Sequence, residues 1–182
     1  MRLPCRHGGP SVVRAIVGNE IEQPNGRPRH AGFAALTIGR LTLAEMDAAS
    51  IVHRMAFDDR LPWLAGIHTP EEDRRYFRER VFQACEVWGD LGDGSLRGIV
   101  AFRSGWIDQL YVLPKFQGQG IGTELLGIAQ SAFPRLQLWT FQRNLPARRF
   151  YERRQFVLVR ETDGSENEEK EPDAFYLWSR AP

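Results

Sequence analysis

Gln117-Gly118-Gln119-Gly120-Ile121-Gly122 places three glycines at alternate positions, directly before the helical pattern Thr123-Glu124-Leu125-Leu126-Gly127-Ile128-Ala129. Ahead of it lie a strand-like stretch, Trp106-Ile107-Asp108-Gln109-Leu110-Tyr111-Val112, and a turn at Leu113-Pro114. A glycine-rich loop between a strand and a helix makes an anion site. Glycines let backbone N–H groups converge without Cβ clashes, and the first N–H groups of a helix have no intrahelical partner. The positive end of the helix dipole adds ~0.3–1 kcal/mol for a bound anion, and up to ~2 when partly buried.

The spacing narrows the anion. A P-loop closes on a Lys-Ser/Thr pair, whereas Gly122 is followed by Thr123-Glu124. A dinucleotide fingerprint needs G-x-G-x-x-G, and Gly118-x-Gly120-x-Gly122 has another spacing. Gln117-x-x-Gly120-x-Gly122 instead resembles the coenzyme A pyrophosphate loop of the GNAT acetyltransferase family. Leu110-Tyr111-Val112-x-Pro114 resembles the end of that family's fourth strand, and Asn144-x-x-Ala147-x-x-Phe150-Tyr151-Glu152 its second motif. The resemblance runs over roughly residues 35–182. It departs at Gln155-Phe156, where the family usually carries Gly-Phe.

The resemblance implies acetyl-CoA as co-substrate, no metal, and transfer of an acetyl group to a primary amine, small or peptidic, by direct attack. The pyrophosphate site would be Gln117, Gly118, Gln119, Gly120, Ile121 and Gly122. Backbone groups at Leu110, Tyr111 and Val112 would meet the thioester, and Asn144 the pantetheine arm. Tyr151 would be the general acid by the motif match, although spacing alone favours reading Phe150-Tyr151 as aromatic packing. For the general base, Asp108 lies in the strand leading to the loop, expected on one face with Trp106 and Leu110. An ion pair is the competing reading of Asp108, and Glu86 is a second candidate base. The acidic run from Glu161 to Asp173 reads either as a solvated loop or, from the resemblance, as the rim of the acceptor site with a preference for cations. A non-catalytic acyl-CoA sensor on the same fold and an unrelated nucleotide-binding module are the alternatives.

Composition sets the bounds. The chain has 182 residues, 42% hydrophobic and 26% charged, enough for one globular core. A net charge of +1 gives no global field for nucleic acid or an anionic membrane. Cys5 and Cys85 form no CxxC, so a reducing cytoplasm is expected, with Cys85 as a packed thiol or, less simply, a nucleophile. His7, His30, His53 and His68 lack metal-ligand spacing. No apolar run reaches membrane-spanning length, and the run from Ser11 to Val17 is interrupted by Arg14. A homodimer is left open.

The elements that must position these residues follow from periodicity and caps. A strand near Leu36–Arg40 precedes a helix capped by Thr42 with Glu45 at capping-box spacing. Its expected apolar face is Met46, Ala49, Ile51, Val52 and Met55. Thr69-Pro70-Glu71-Glu72 starts a second helix carrying Tyr76, Phe77, Val81 and Phe82 inward. Strands over 84–91 and 96–102 flank Gly92-Asp93-Gly94-Ser95. After the loop helix, with Leu125, Ile128, Ala129 and Phe133 inward, come a strand over 136–141, a helix after Asn144, and strands over 156–161 and 174–178. The order predicts a three-layer α/β/α domain around a mixed, mostly antiparallel sheet.

Residues 1–34 are rich in proline, glycine and arginine, and read as an irregular extension. Deleting them should leave both the melting temperature and acetyl-CoA binding unchanged, as checked by scanning calorimetry and ligand titration. A large loss of stability would show that the segment docks on the domain.

Overall fold

The computed structural model describes residues 36–180; the expected extension over 1–34 lies outside the described residues. Strands are β1 (Ile38–Arg40), β2 (Glu86–Asp90), β3 (Gly98–Arg103), β4 (Trp106–Val112), β5 (Arg135–Phe141), β6 (Val157–Thr162) and β7 (Asp173–Ser179). They form one sheet in the order β1-β2-β3-β4-β5-β7-β6. Every neighbouring pair is antiparallel except β4 and β5. Helices α1 (Met46–Arg60) and α2 (Pro70–Tyr76) follow β1, and α2 runs on through a π turn, Phe77–Val81, to Phe82–Ala84. Helix α3 (Ile121–Ala132) connects β4 to β5, and α4 (Leu145–Glu152) follows β5. The expected three layers are present.

Local chemistry accounts for the helix starts. Thr42 and Glu45 form a reciprocal capping box, as do Thr69 and Glu72 ahead of Pro70. Asn144 caps α4 by accepting a hydrogen bond from the Ala147 N–H. The Gly-Phe departure is resolved by Gln155 adopting φ 66°, the left-handed conformation usual for glycine after a helix. The Phe156 N–H then closes the turn on the Tyr151 carbonyl at 3.0 Å.

Two cores flank the sheet. One packs Val100, Ile107, Leu110 and Val112 against Leu125 and Leu126 of α3 and Phe150 and Tyr151 of α4. The other packs Ile99, Ala101 and Tyr111 against Met46, Ala49 and Val52 of α1 and Phe77 and Val81 beyond α2. The face of α1 differs from expectation. Ala56 completes it, whereas Ile51 and Met55 are each 52% exposed, because they lie off the Met46–Ala49–Val52–Ala56 stripe.

Gly98 sits where α3 meets β3. A Cβ there would lie 2.8 Å from Ile121 Cγ2 and 3.1 Å from the Tyr111 carbonyl oxygen. Ile121 is the first residue of α3, so this contact sets the height of the helix start above the sheet. Gly98→Val should overpack the junction by about 1–3 kcal/mol, lowering the melting temperature by about 2–12 °C. It should also weaken acetyl-CoA binding by displacing the glycine loop; differential scanning calorimetry and isothermal titration check the two effects.

Candidate active site

Strands β4 and β5 share a single bridge, Trp106 to Gln137, whereas β5 and β7 pair at seven positions. The two parallel strands therefore part beyond Trp106, and the sheet is open between their C-terminal ends. The ladder to β3 shows which groups face that opening. The Leu113 N–H bonds to the Arg97 carbonyl at 2.9 Å. Bonded and non-bonded pairs alternate in an antiparallel ladder, so Tyr111 bonds to Ile99. Leu110 and Val112 then turn their N–H and C=O groups toward β5. The Gln117 side chain agrees with this, since its Nε2 donates to the Val112 carbonyl at 3.0 Å. Its Oε1 accepts from Arg60 Nη2 of α1 at 3.2 Å. Gln117 thus fastens the glycine loop to the open end of β4.

The loop itself takes left-handed turns at Gly118 (φ 76°) and Gly120 (φ 87°). Gly120 is the N-cap of α3 and its carbonyl accepts from Thr123 and Glu124. The N–H groups of Ile121 and Gly122 precede those bonds, and no side chain caps the helix. Gly118, Gln119 and Gly120 are exposed, and a Cβ at Gly120 would have nothing within 4 Å. The result is an accessible cluster of N–H groups at a helix N-terminus, suited to a pyrophosphate.

Helix α4 brings Asn144 and Tyr151 onto one face, two turns apart. Both are completely buried. Asn144 Nδ2 and the Tyr151 hydroxyl have no hydrogen-bond partner among the described residues. Leaving a buried donor unmade costs ~1–3 kcal/mol. Tyr151 packs in the core that contains Leu110 and Val112 of the parted strand, touching the rings of Phe150 and Phe156. Burial pushes its phenol well above the usual tyrosine range, so it keeps its proton at neutral pH.

The opposite face of the sheet bears a cleft of about 1150 Å³, lined by α1, α2, β4, β5 and the loop between β6 and β7. From β4 it receives Trp106, Gln109 and Tyr111. This pattern corrects the expected face of Asp108. A bulge opposite Ala101 and Phe102 leaves Asp108 unpaired, so alternation restarts at Gln109, while Leu110 joins the other core. Asp108 is not among the lining residues. Its carboxylate instead accepts from Arg103 Nε at 2.7 Å and Cys85 Sγ at 3.2 Å. Burial, then the adjacent Asp108 charge, push the Cys85 thiol up, so it is inert rather than nucleophilic. Glu86 is exposed on β2 and also lies outside the cleft lining.

The acidic loop is at the cleft, with Glu166, Glu168 and Glu169 among its lining residues. It is held in shape from within: Asn167 Nδ2 donates to the Glu171 carbonyl and the Asp173 carboxylate, and Thr162 bonds Asp173. It is also fastened across the mouth. Trp63 Nε1 donates to Glu171 at 3.3 Å, Arg143 Nε lies 3.3 Å from the same carboxylate, and His68 Nε2 lies 3.7 Å from Glu168. Sequence reasoning missed His53, Trp139 and Phe175 as cleft residues. His53 packs edge-on to Tyr111, and burial pulls its pKa down to about 3, leaving a neutral imidazole. The signal for Trp139 and Phe175 was present as strand alternation, but their face depends on a register that the sequence does not show.

The model of the acetyltransferase (GNAT) family matches residues 54–156, more than half of the chain. The chain belongs to the GNAT acetyltransferase family. The peptidyl-lysine N-acetyltransferase YiaC of Escherichia coli (strain K12) is 36% identical over 74 residues, 40% of this chain and 49% of that relative. The match thus spans about half of the curated relative's length. Among solved structures, apo-form YjaB from Escherichia coli has a TM-score of 0.67 at 19% identity, covering 81% of this chain and 99% of that one. YncA from Salmonella typhimurium with acetyl-CoA has a TM-score of 0.63 at 16% identity, covering 81% and 95%. At these identities the likeness shows the fold. Among the described residues, no helix is long and apolar enough to cross a membrane.

Gly120→Glu tests the loop. The substitution forces a left-handed φ at a cost of ~1–2 kcal/mol and brings a carboxylate to the anion site. Like-charge juxtaposition costs several kcal/mol, so acetyl-CoA affinity should fall by ~100-fold or more. Calorimetric titration of the folded variant checks this, with Gly120→Ala isolating the backbone strain from the charge.

Proposed function

We propose that this chain is an acetyl-CoA-dependent N-acetyltransferase acting on a primary amine. The observation that carries the reading is the convergence of the anion loop, the parted β4 and β5 strands, and two buried unpartnered donors on α4. The groups present fit the co-substrate. The N–H cluster at Gly118–Gly122 would hold the pyrophosphate, with Gln117 keeping the loop against β4. The parted strands give an extended arm room to lie against the edges of Leu110 and Val112. Asn144 Nδ2 would donate to an amide carbonyl of that arm.

The acceptor enters from the cleft side, where Trp106, Gln109 and Tyr111 line β4. An amine of pKa ~10.4 gives up a proton near pH 7.4 at a cost of about 4 kcal/mol. The amine nitrogen then bonds to the thioester carbon. A β4 backbone N–H at Leu110 or Val112 stabilises the oxyanion that develops, being fixed in place beforehand. The carbon–sulfur bond breaks, and the Tyr151 hydroxyl donates its proton to the leaving sulfur. Its raised pKa keeps that proton in place until negative charge builds on the sulfur. Asp108 takes no part in this scheme, since Arg103 and Cys85 occupy its carboxylate. The first amine proton leaves to water in the cleft; the second, shed by the nitrogen as the tetrahedral adduct collapses, returns through water to the Tyr151 phenolate and restores the hydroxyl. The peptide-lysine activity in the name of the relative YiaC supports a peptide lysine as one acceptor. The half-buried free thiol of Cys85 is compatible with a reducing, cytoplasmic setting.

Tyr151→Phe removes only the hydroxyl. General acid contributions run ~10²–10⁴-fold, so kcat should fall by that order while acetyl-CoA affinity holds. The assay is release of free thiol against a panel of amines, under conditions where chemistry limits the rate. An undiminished kcat would return Tyr151 to packing. Acetyl-CoA binding with no thiol release on any amine would instead favour a sensor.

A further inference from the structure

Three aromatic rings run across the floor of the cleft from neighbouring strands. Trp139 of β5 and Phe175 of β7 are directly opposite in register, with ring centroids 5.0 Å apart. Trp106 of β4 adds a third ring, 5.8 Å from Phe175. All three are half-buried and line the cleft. The fourth member of the row is a cation. Arg160 of β6 lies opposite Phe175 in register, its guanidinium carbon 5.0 Å from the Trp139 ring centroid and 5.8 Å from that of Phe175.

Arg160 reaches this place through a bulge. Leu158 pairs with Tyr176, which belongs to the core on the other face, and Val159 is the extra residue. Only because of that insertion does Arg160 share a face with Phe175. Its surroundings are unusual for a cleft whose lining includes eight carboxylate side chains and five lysines or arginines. Among the described residues Arg160 has no ion-pair or hydrogen-bond partner. Arg54, by contrast, pairs with Asp73. An exposed guanidinium held by ring faces alone marks those faces as a cation seat, since aromatic quadrupoles attract a cation within about 6 Å of the centroid.

Resting on the acetyltransferase reading, we propose that Trp106, Trp139 and Phe175 form a specificity subsite for a second positive charge carried by the acceptor, apart from the amine that is acetylated. Arg160 occupies the seat in the free protein and yields it, moving into solvent from an exposed edge strand. The carboxylates of Glu166, Glu168 and Glu169 at the rim favour the exchange by drawing the acceptor's charge inward. The acceptor class is therefore polycationic. A basic peptide and a linear polyamine share that chemistry.

The test compares matched acceptors on the full chain at saturating acetyl-CoA. One pair is a short peptide with a single lysine flanked by arginine, against the same peptide with citrulline in place of arginine. The other pair is spermidine against butylamine. The charged member of at least one pair should have a KM lower by roughly tenfold, and the pair that discriminates names the source. Trp139→Leu should erase that difference while leaving KM for acetyl-CoA and for the singly charged acceptor unchanged. Arg160→Gln, at an exposed position, should lower KM for the doubly charged acceptor by removing the competing cation. Thermal melts report whether Trp139→Leu is folded, and Arg160→Gln keeps the test decisive if it is not.

Equal KM values within both pairs would overturn the proposal, as would an unchanged or raised KM in Arg160→Gln. Calorimetric binding of spermidine and of the arginine peptide separates this from the activity. Binding that Trp139→Leu abolishes, without acetyl transfer to any amine, would leave the cation seat standing and sink the transferase reading. Absence of both binding and discrimination would sink the seat alone if butylamine is still acetylated.

Discussion

The parting of β4 from β5 is the constraint on which the rest of the molecule depends. A parallel pair in the middle of a sheet ordinarily bonds along its length, because each unpaired buried backbone group is costly. Here one bridge suffices, at Trp106 and Gln137. The structure keeps the parted ends from closing by giving their groups other neighbours. Gln117 takes the Val112 carbonyl, and the Pro114–Phe116 turn carries the chain away from the sheet before α3 begins. The strength of the flanking ladders, β3 on β4 and β7 on β5, then holds each edge straight. A small molecule with its own amides can complete what the strands leave unmade.

Two bulges decide which side chains see which face. The one at Asp108 turns Gln109 and Tyr111 toward the cleft and sends the carboxylate to Arg103. The one at Val159 turns Arg160 onto the aromatic row. Each inserts one residue and so resets which of the following side chains face the cleft. The cleft side of the sheet is thus set by register, whereas the glycine loop is set by local motif.

That division explains what was legible in the sequence. Gly118 and Gly120 are read directly, because their left-handed turns favour glycine. The caps at Thr42, Thr69 and Asn144 are equally local, and all three form as their spacing predicts. The succession of strands and helices along the chain followed from periodicity and caps. The face of Asp108 did not, because alternation carries through a strand only where no residue is inserted, and the bulge at Asp108 has no proline or glycine to announce it. The exposure of Ile51 and Met55 was illegible for a related reason. Their apolar character matched the helix period loosely, and only packing against β3 and β4 distinguishes them from Ala56.

The buried polar groups on α4 carry the last step of the argument. A core that encloses the Tyr151 hydroxyl without a partner is less stable than one with phenylalanine in its place, by ~1–3 kcal/mol. Gln155, held at φ 66° to turn the chain behind that same helix, adds further strain. These costs lie beside the opened strands, and other buried polar atoms without a hydrogen-bond partner line the cleft on the opposite face, among them Gln109 Oε1 and His53 Nδ1. The α4 donors are fixed by their packing before any ligand arrives, so no reorganisation is needed when charge develops nearby. A ligand that supplied acceptors there would recover the stability forgone in the free protein.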